Sequence, residues 1–404
     1  MNELASSSDS TVTTPTKLRP TDLDGVRAAV LDTQGPIAIA GAGTAVDWAG
    51  DLGAVSSVLD TTALSGVITH NPGDMTVAVR AGTPLRALLD DLAAHGQHVA
   101  LDAARVADGA TVGGLLATGD AGPAALVHGS LRDLVIGTTL VLADGTIAHN
   151  GGHVIKNVAG YDLAKLMHGS YGTLAVVAEV VLRLHPVPQR TATLVLPCTL
   201  AEAATHAATV LQGPYEATAL EWLGGAAEGE LLVRLEGTEA ALDPRVQRLA
   251  DALPGATPSD ERHSRRLGSD DSAARLNGSW ERHAAAVRGA AGSASLRVGV
   301  LPSRLPDLIR SLPGVTAVTA GLGTGVGTVS LDPAGVAEAH ALVHAAGGTS
   351  VLRSRPAGAG PPAWGPPPSA IAVLRSVKNT LDPQGRFGPG RFDPWFTTMR
   401  GGST

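Results

Sequence analysis

A single cysteine, Cys198, occurs in 404 residues. An internal disulfide is excluded, as are a cysteine-ligated iron–sulfur cluster and a structural cysteine–zinc site within this chain. Aromatics are scarce as well, with three Phe, three Tyr and five Trp, and the net charge is -7. No nucleic-acid partner is expected: stacking platforms are few and the net field repels phosphate. No apolar run approaches the roughly 20 residues needed to span a bilayer. The opening MNELASSSDSTVTTPTKLRP lacks an apolar leader segment and reads as a disordered tail over 1–20. A cytoplasmic protein is expected, reaching the inner face of a membrane only through partners. What the chain has in abundance is glycine (50 residues) and a 44% hydrophobic content, enough for two or three globular domains.

The pattern splits near residue 188. Before it, TDLDGVRAAVLDTQ reads as a helix capped by Thr21, PIAIAGAGT as a strand entering a glycine turn, and VITHNPGDMTVAVRAG as two strands about an Asn71–Pro72–Gly73 turn. TPLRALLDDLAAHG reads as a helix capped by Thr83, with Pro84 first and Gly96 as its stop. LRDLVIGTTLVLADGTIAHNGG forms a hairpin turning at Asp144-Gly145. After residue 188 a β-α-β-β-α order runs twice, the second copy closing with the strand TSVLRS, interrupted by a polar, arginine-rich stretch from 260 to 288 expected as an exposed loop and helix. Two copies of a split βαβ pattern predict one α+β domain of paired ferredoxin-like halves over 189–355. A Pro/Gly linker at 356–368 then leads into a helix capped by Ser369, within a closing segment of 369–404.

Two glycine-rich regions carry the chemistry. In GAGTA, residues 41–45, backbone N–H groups can approach a diphosphate without Cβ interference, although a tight turn with no ligand uses the same residues. A dinucleotide fingerprint with Asp60 as ribose acid is rejected: its third glycine is missing at Val46, and Gly50 and Gly53 stand where the crossover helix should run. GATVGGLLATGDAG, residues 109–122, is a second such surface. Two of them suggest one extended cofactor touched twice. His340 and His344 share a helix face as a zinc pair would, but no third ligand is evident, so a solvated face is the reading and no metal is expected. The cluster Arg262, Arg265 and Arg266 lies among acids and reads as a solvated loop.

The runs HGSLRDLVIGTTLVLADG and KNVAGYDLAKLMHGSYGTLAVVAEVVL resemble the FAD-binding domain of vanillyl-alcohol oxidase and para-cresol methylhydroxylase relatives. Within that superfamily, KNVAGYDLAKLMHGSYGTL and the closing LRSVKNTLDPQGRFGPGRF are similar to the small FAD-binding subunit of bacterial glycolate oxidase. The resemblance implies a two-part α+β FAD-binding domain over 21–188 with the ferredoxin-like domain as its cap. It implies non-covalent FAD, since the first loop has no histidine or cysteine for attachment and His128 reads as a surface turn residue. Carried over, the cofactor contacts are Ala40, Gly41, Ala42, Gly43, Thr44 and Ala45, then Thr111, Val112, Gly113, Gly114 and Gly119. Gly129, Ser130 and Asp133 form a further turn, and Val176 or Val177 covers the adenine end.

Two departures from that family stand out. The usual arginine of the first loop is Ala40, and the usual asparagine before PGR is Gly388. Lys156, Asn157, Tyr161 and Asp162 are the catalytic candidates beside the flavin, with Tyr161 and Asp162 equally read as closing a turn. The resemblance implies oxidation of 2-hydroxy acids (glycolate, D-lactate) in a complex with a second FAD subunit and an iron–sulfur subunit. A stand-alone dehydrogenase and a non-catalytic assembly subunit are the alternatives. The metal-binding histidine motif of catalytic relatives is absent, and only Lys156 and Lys378 present themselves to meet a carboxylate. Little activity is therefore expected from the chain alone.

Overall fold

In the computed structural model, residues 14–154, 160–259 and 278–396 are described. Lys156, Asn157 and the arginines at 262, 265 and 266 lie outside them.

The chain opens with a parallel sheet in the order Thr16–Leu18, Ser57–Asp60, Ile37–Ala40. Part of the expected tail is thus ordered, because Thr16 to Leu18 pair in register with Ser57 to Leu59. Helix Leu23–Asp32 packs Val26 and Val30 beneath this sheet. Its cap is Asp22, not Thr21: the carboxylate accepts from Gly25 N at 2.8 Å. No helix joins Ile37–Ala40 to Ser57–Asp60, in line with the rejected dinucleotide fingerprint. Asp60 instead pairs with Lys17 and Arg19 at 2.9 and 3.2 Å.

An antiparallel five-stranded sheet follows, ordered Val67–Asn71, Thr76–Arg80, Val176–Arg183, Val135–Val141, Ile147–Gly151. Its hairpin turns at Asp144-Gly145, where Gly145 takes φ +78°. Val176 and Val177, neighbours on a strand, point to opposite faces. Val176 joins the core with Val26, Ile37 and Phe387. Val177 joins the other, with Leu85, Leu88, Leu116 and Leu131. Helix Leu85–Ala93 begins one residue later than the sequence suggests, with Pro84 in the cap position. Thr83 Oγ1 is engaged elsewhere, donating to Arg80 O at 2.6 Å and accepting from Gly66 N at 2.9 Å.

The third sheet has eight antiparallel strands: Thr257–Ser259, Arg190–Thr199, Glu228–Gly237, Ala219–Gly224, Val315–Gly321, Val326–Leu331, Ala294–Gly299, Thr349–Ser354. Numbered within each half, both read 2-3-1-4 outward from the join, where Ala219–Gly224 pairs with Val315–Gly321. That is the doubled ferredoxin-like arrangement. One face carries Leu220, Trp222, Val233, Leu296, Val298, Val329 and Leu352 into a large core under four helices. The opposite face follows the same two-residue period but is polar, and it too is buried: Thr193, Glu221, Ser295, Thr319, Thr328, Ser330 and Arg353 are all nearly inaccessible. Helix Gly278–Arg288 lies against this face and is not free in solvent, since Trp280 and His283 are buried and His283 Nε2 stands 3.2 Å from Glu221 Oε2.

The Pro/Gly segment at 356–368 is strapped down. Leu352 N donates to Ala363 O at 2.9 Å, and Trp364 stacks on Phe392 at 4.8 Å. His340, expected in solvent, is covered by this strap: its ring nitrogens meet Ser350 Oγ at 2.6 Å and Pro362 O at 3.0 Å, while His344 is exposed. Helix Ile371–Leu381 starts at an Ala370 cap that makes no side-chain bond, so Ser369 is not its cap. After it the chain returns to the first sheet, where Ile37 N donates to Arg386 O at 2.7 Å and Gly388 N to Ile37 O at 3.0 Å. Gly388 adopts φ +54°, a conformation open to glycine and asparagine but costly for most residues. Glycine here and the asparagine that the resemblance implies are both compatible with this turn.

Candidate functional site

The two glycine-rich regions meet at the end of strand Ile37–Ala40. A Cβ on Gly41 would stand 2.5 Å from Thr111 Oγ1, so the loops can touch only because residue 41 is glycine. Thr111 caps helix Val112–Thr118, accepting from Gly114 N at 3.2 Å. Gly43 takes φ +76° with open space on its side-chain side. Ala42 is exposed, and Arg105 Nη1 donates to Thr44 O at 2.7 Å. Arg105 thus brings to the first loop a cation that Ala40 does not supply.

Beyond Ala45 the loop runs under the polar face of the eight-stranded sheet. Ala49 N donates to Leu352 O at 2.8 Å, and Arg391 Nη1 reaches Val46, Trp48 and Gly50 carbonyls at 2.9, 3.0 and 3.0 Å. Trp48 is 1% exposed, with the Arg105 guanidinium 4.4 Å and the Arg353 guanidinium 3.8 Å from its ring centroid. Arg353 Nη1 pairs with Asp120 Oδ1 at 3.0 Å, both side chains buried. Arg355 Nη2 also donates to Ala49 O at 2.8 Å, so with the Ala49–Leu352 bond this seam joins the N-terminal sheets to the third sheet. It is rich in polar atoms that find no hydrogen-bond partner: Trp48 Nε1, Arg105 Nε, Asp120 Oδ2, His168 Nε2, Ser295 Oγ, Ser330 Oγ, Arg353 Nε and Nη2. Buried polar atoms are normally paired, and such a concentration marks a surface shaped for a polar ligand.

Electrostatics agree. Burial, aided by Arg297 and Arg132, pushes the His168 imidazole down to about 4, so it is neutral at physiological pH. Burial and then the like charge of Arg353 bring Arg297 down to about 10. Burial raises the Tyr171 phenol, against the pull of Arg353 and Arg297. Tyr171 itself holds φ +51°, an uncommon conformation for a bulky residue.

Not every residue expected here belongs to the seam. Ala40 to Ala45, Thr111 and Gly114 form the junction, and Gly119, at φ +61°, lies beside His168. Gly113 turns away: its N–H bonds Ala81 O at 2.8 Å, and a Cβ there would meet Ala81 Cβ at 2.8 Å. Val112, Val176 and Val177 are core residues. Ser130 and Asp133 cap the short helix Leu131–Leu134 reciprocally, next to Gly129 at φ +75°. Tyr161 is 89% exposed. Asp162 caps helix Leu163–Met167 and pairs with Lys165 at 3.0 Å, the turn-closing role. Lys378 is not available to an anion, because its ammonium bonds Thr173 O, Asp382 Oδ2 and Phe387 O at 2.7, 2.5 and 3.0 Å. His128 is half-buried against His185, with ring centroids 4.4 Å apart, and is not a free turn residue. Sequence reasoning missed Trp48, Arg105, Asp120, His168, Arg297 and Arg353. Among the described residues no cluster of three His, Cys, Asp or Glu side chains is placed to hold a metal ion, and no helix is long and apolar enough to cross a membrane.

Residues 17–151 match the family model described as an FAD binding domain. This part of the chain is an FAD binding domain. Glycolate oxidase subunit GlcE of Escherichia coli (strain K12) is 35% identical over 184 residues, 46% of this chain and 51% of that protein. D-lactate dehydrogenase of Archaeoglobus fulgidus is 36% identical over 164 residues, 39% of this chain and 37% of that one. Glycolate oxidase subunit GlcD of Bacillus subtilis (strain 168) is 45% identical over 84 residues, 21% and 18% of the two chains. The chain thus aligns with about half the length of the first relative and less of the others. Among solved structures, an alkyldihydroxyacetonephosphate synthase superposes with a TM-score of 0.63 at 18% identity, covering 92% of this chain and 75% of its own. That likeness shows a shared fold extending through the third sheet, which caps the FAD domain.

The residues fit the cofactor. FAD carries two phosphates, ribityl hydroxyls and a polar ring edge. The open Gly43 turn and the unpartnered seam atoms offer donors and acceptors for each kind.

Proposed function

We propose that this chain is the FAD-binding subunit of a glycolate oxidase-like complex that oxidises 2-hydroxy acids such as glycolate or D-lactate. A second FAD subunit and an iron–sulfur subunit complete that complex. The observation that carries the reading is the buried polar seam between the FAD domain and its cap, on a chain similar to two glycolate oxidase subunits and a D-lactate dehydrogenase. The domain limits that go with it are 21–188 for the FAD domain and 189–355 for the cap.

Bound FAD would supply the two-electron acceptor for the α-carbon hydride and a route for single electrons to leave. The remaining work falls to the chain. Gly41, Gly43 and Thr111 bring backbone up to the diphosphate, and Arg105 offsets its charge. Trp48 and the polar sheet face exclude water, which strengthens every charge interaction inside. His168, held neutral, presents a free Nε2 as acceptor for the substrate hydroxyl proton. With one cysteine, this chain does not itself ligate an iron–sulfur cluster, so in this reading the relay belongs to another subunit.

A stand-alone dehydrogenase is the second reading. The case for an inactive isolated chain rested on the lack of a cation to meet a carboxylate, and Arg297 and Arg353 remove that premise. The test is anaerobic addition of glycolate or D-lactate to the purified, FAD-loaded chain, followed by the same addition with its partners. Flavin bleaching with the chain alone would establish the second reading, and bleaching only with partners the first. No bleaching in either state would refute 2-hydroxy-acid oxidation. Acid precipitation should release all the yellow colour, since no attachment residue lies in the first loop; colour in the pellet would refute non-covalent binding.

A further inference from the structure

We propose that Arg297 and Arg353, on neighbouring strands of the cap sheet, form a subsite for the carboxylate of the substrate. The proposal rests on the 2-hydroxy-acid reading for the identity of its ligand, but not for the existence of the site.

Charge balance in the seam is the first argument. Three guanidinium groups, Arg105, Arg297 and Arg353, act on one buried carboxylate, Asp120. Arg353 is buried and Arg105 and Arg297 are half-buried. Cations so withdrawn from water with one carboxylate among them are costly, and a fold keeps them where an anion arrives to complete them. Arg105 is engaged with the first glycine loop at Thr44 O. Among the described residues Arg297 has no hydrogen bond or ion pair, and meets Asp120, Arg353 and Tyr171 only through longer-range charge interactions.

The geometry of Arg353 is the second. Its side chain is 3% exposed, its flat face lies on Trp48, and Nη1 is taken by Asp120. The two donors left without acceptors are Nε and Nη2. These share one edge of the guanidinium plane and are spaced to hold both oxygens of a single carboxylate. Strands Ala294–Gly299 and Thr349–Ser354 are paired, and a register shift between Ser295 and Leu296 leaves Arg353 near Ser295 on the polar face that also carries Arg297. Ser295 Oγ, on that same face, is likewise unpartnered. The two-residue alternation of ASLRVG and TSVLRS thus delivers both arginines to one face while Leu296 and Leu352 anchor the other.

An oxyanion held there has two sources, a substrate carboxylate or a cofactor phosphate. The carboxylate is favoured because the charge of Arg297 acts on His168, Tyr171 and Arg353, whereas the first glycine loop has its own cation in Arg105.

The test uses the full chain loaded with FAD and oxalate as probe, which carries carboxylates but no α-hydrogen to give up. Oxalate should perturb the flavin absorption spectrum at saturation. Arg297→Gln should raise its dissociation constant at least tenfold while FAD affinity, read by quenching of flavin fluorescence, stays within twofold. Because Arg297 has no partner to lose, that variant should also keep or raise the urea midpoint, which a structural role would lower. Arg353→Gln combined with Asp120→Asn removes the buried pair together and should abolish the oxalate response. An unchanged oxalate constant in Arg297→Gln, or no response in the parent chain, overturns the subsite. A loss of FAD affinity with oxalate binding intact reassigns the arginines to the cofactor's phosphates and equally overturns it. Should inorganic phosphate bind tightly in an Arg297-dependent way while oxalate does not, the carboxylate assignment and the 2-hydroxy-acid reading fail together. Arginine-dependent oxalate binding without bleaching by glycolate or D-lactate leaves the subsite standing and refutes that oxidation alone.

Discussion

Replacing Asp382 by alanine should unfasten the end of the chain from the first sheet. The carboxylate is 1% exposed and accepts three bonds: Lys378 Nζ at 2.5 Å, Phe387 N at 2.7 Å and Arg386 N at 2.9 Å. Burial pushes the Lys378 ammonium towards its neutral form, and Asp382 counters it. Removal leaves a buried cation without counter-charge, a loss of about 3–5 kcal/mol. Two backbone N–H groups also lose their acceptor, at about 1–3 kcal/mol for a buried one. These terms share the same atoms and do not add, so about 4 kcal/mol is the working figure.

The damage has a location. Phe387 is fully buried beside Ile37 and Val176, and burying such a ring is worth roughly 3 kcal/mol at most. If local opening costs less than unfolding the whole chain, 382–392 lifts away and Ile37 N loses its bond to Arg386 O. Hydrogen exchange of peptides covering 36–40 and 382–392 is therefore the direct assay, with urea unfolding followed by circular dichroism as the global one. Protection in both peptides should fall in Asp382→Ala and return substantially in Lys378→Met with Asp382→Leu, where neither charge is stranded. Unchanged protection in the alanine variant, with a stability loss under about 1 kcal/mol, would falsify the account.

The other expectations are more local. Gly43→Asp adds a negative charge at an open positive-φ position that aspartate tolerates better than most residues. It should weaken FAD binding at least tenfold with little change in melting temperature; equal affinity would show that the loop does not face phosphate. Gly113→Val should lower stability by about 1–3 kcal/mol through overpacking on Ala81, and a stable variant lacking only FAD would contradict that placement. Acid should destabilise the fold through His168 and His185, both brought down to about 4 from 6.5 chiefly by burial. Between those values the unfolded chain binds more protons, so stability is full above pH 6.5 and falls towards pH 4, by at most on the order of 3 kcal/mol for each. His168→Gln and His185→Gln should each flatten the profile of unfolding free energy against pH in that window; an unaltered slope would contradict the burial.

What the sequence made legible was mostly local. Glycine at a positive φ, as in the Asp144-Gly145 hairpin, announces itself, and so does a β-α-β-β-α order that occurs twice, although the short strand Thr257–Ser259 that closes the first copy does not. Cap positions slipped by a residue because Thr21 and Asp22 are both competent caps, and only the carboxylate of Asp22 reaches Gly25 N. His340 misled for a different reason: helical spacing shows which residues share a face, not what will later cover it, and the strap from 356 to 368 covers this one.

The candidate site divides along the same line. Its glycine loops are short-range features and were visible, whereas its charges come from positions 105, 120, 297 and 353, and the ring they lie on from Trp48, which no local period links. Yet one signal was present. A strand such as ASLRVG that alternates cleanly between apolar and polar is ordinarily half in water. Here its polar side meets the N-terminal sheets, so the alternation that builds an ordinary sheet also brings Arg297, half-buried, beside the buried Arg353 at that interface. Such residues must be completed by a partner of opposite charge. Asp120 completes only one edge of Arg353, and the fold leaves the other edge open to whatever anion the seam receives.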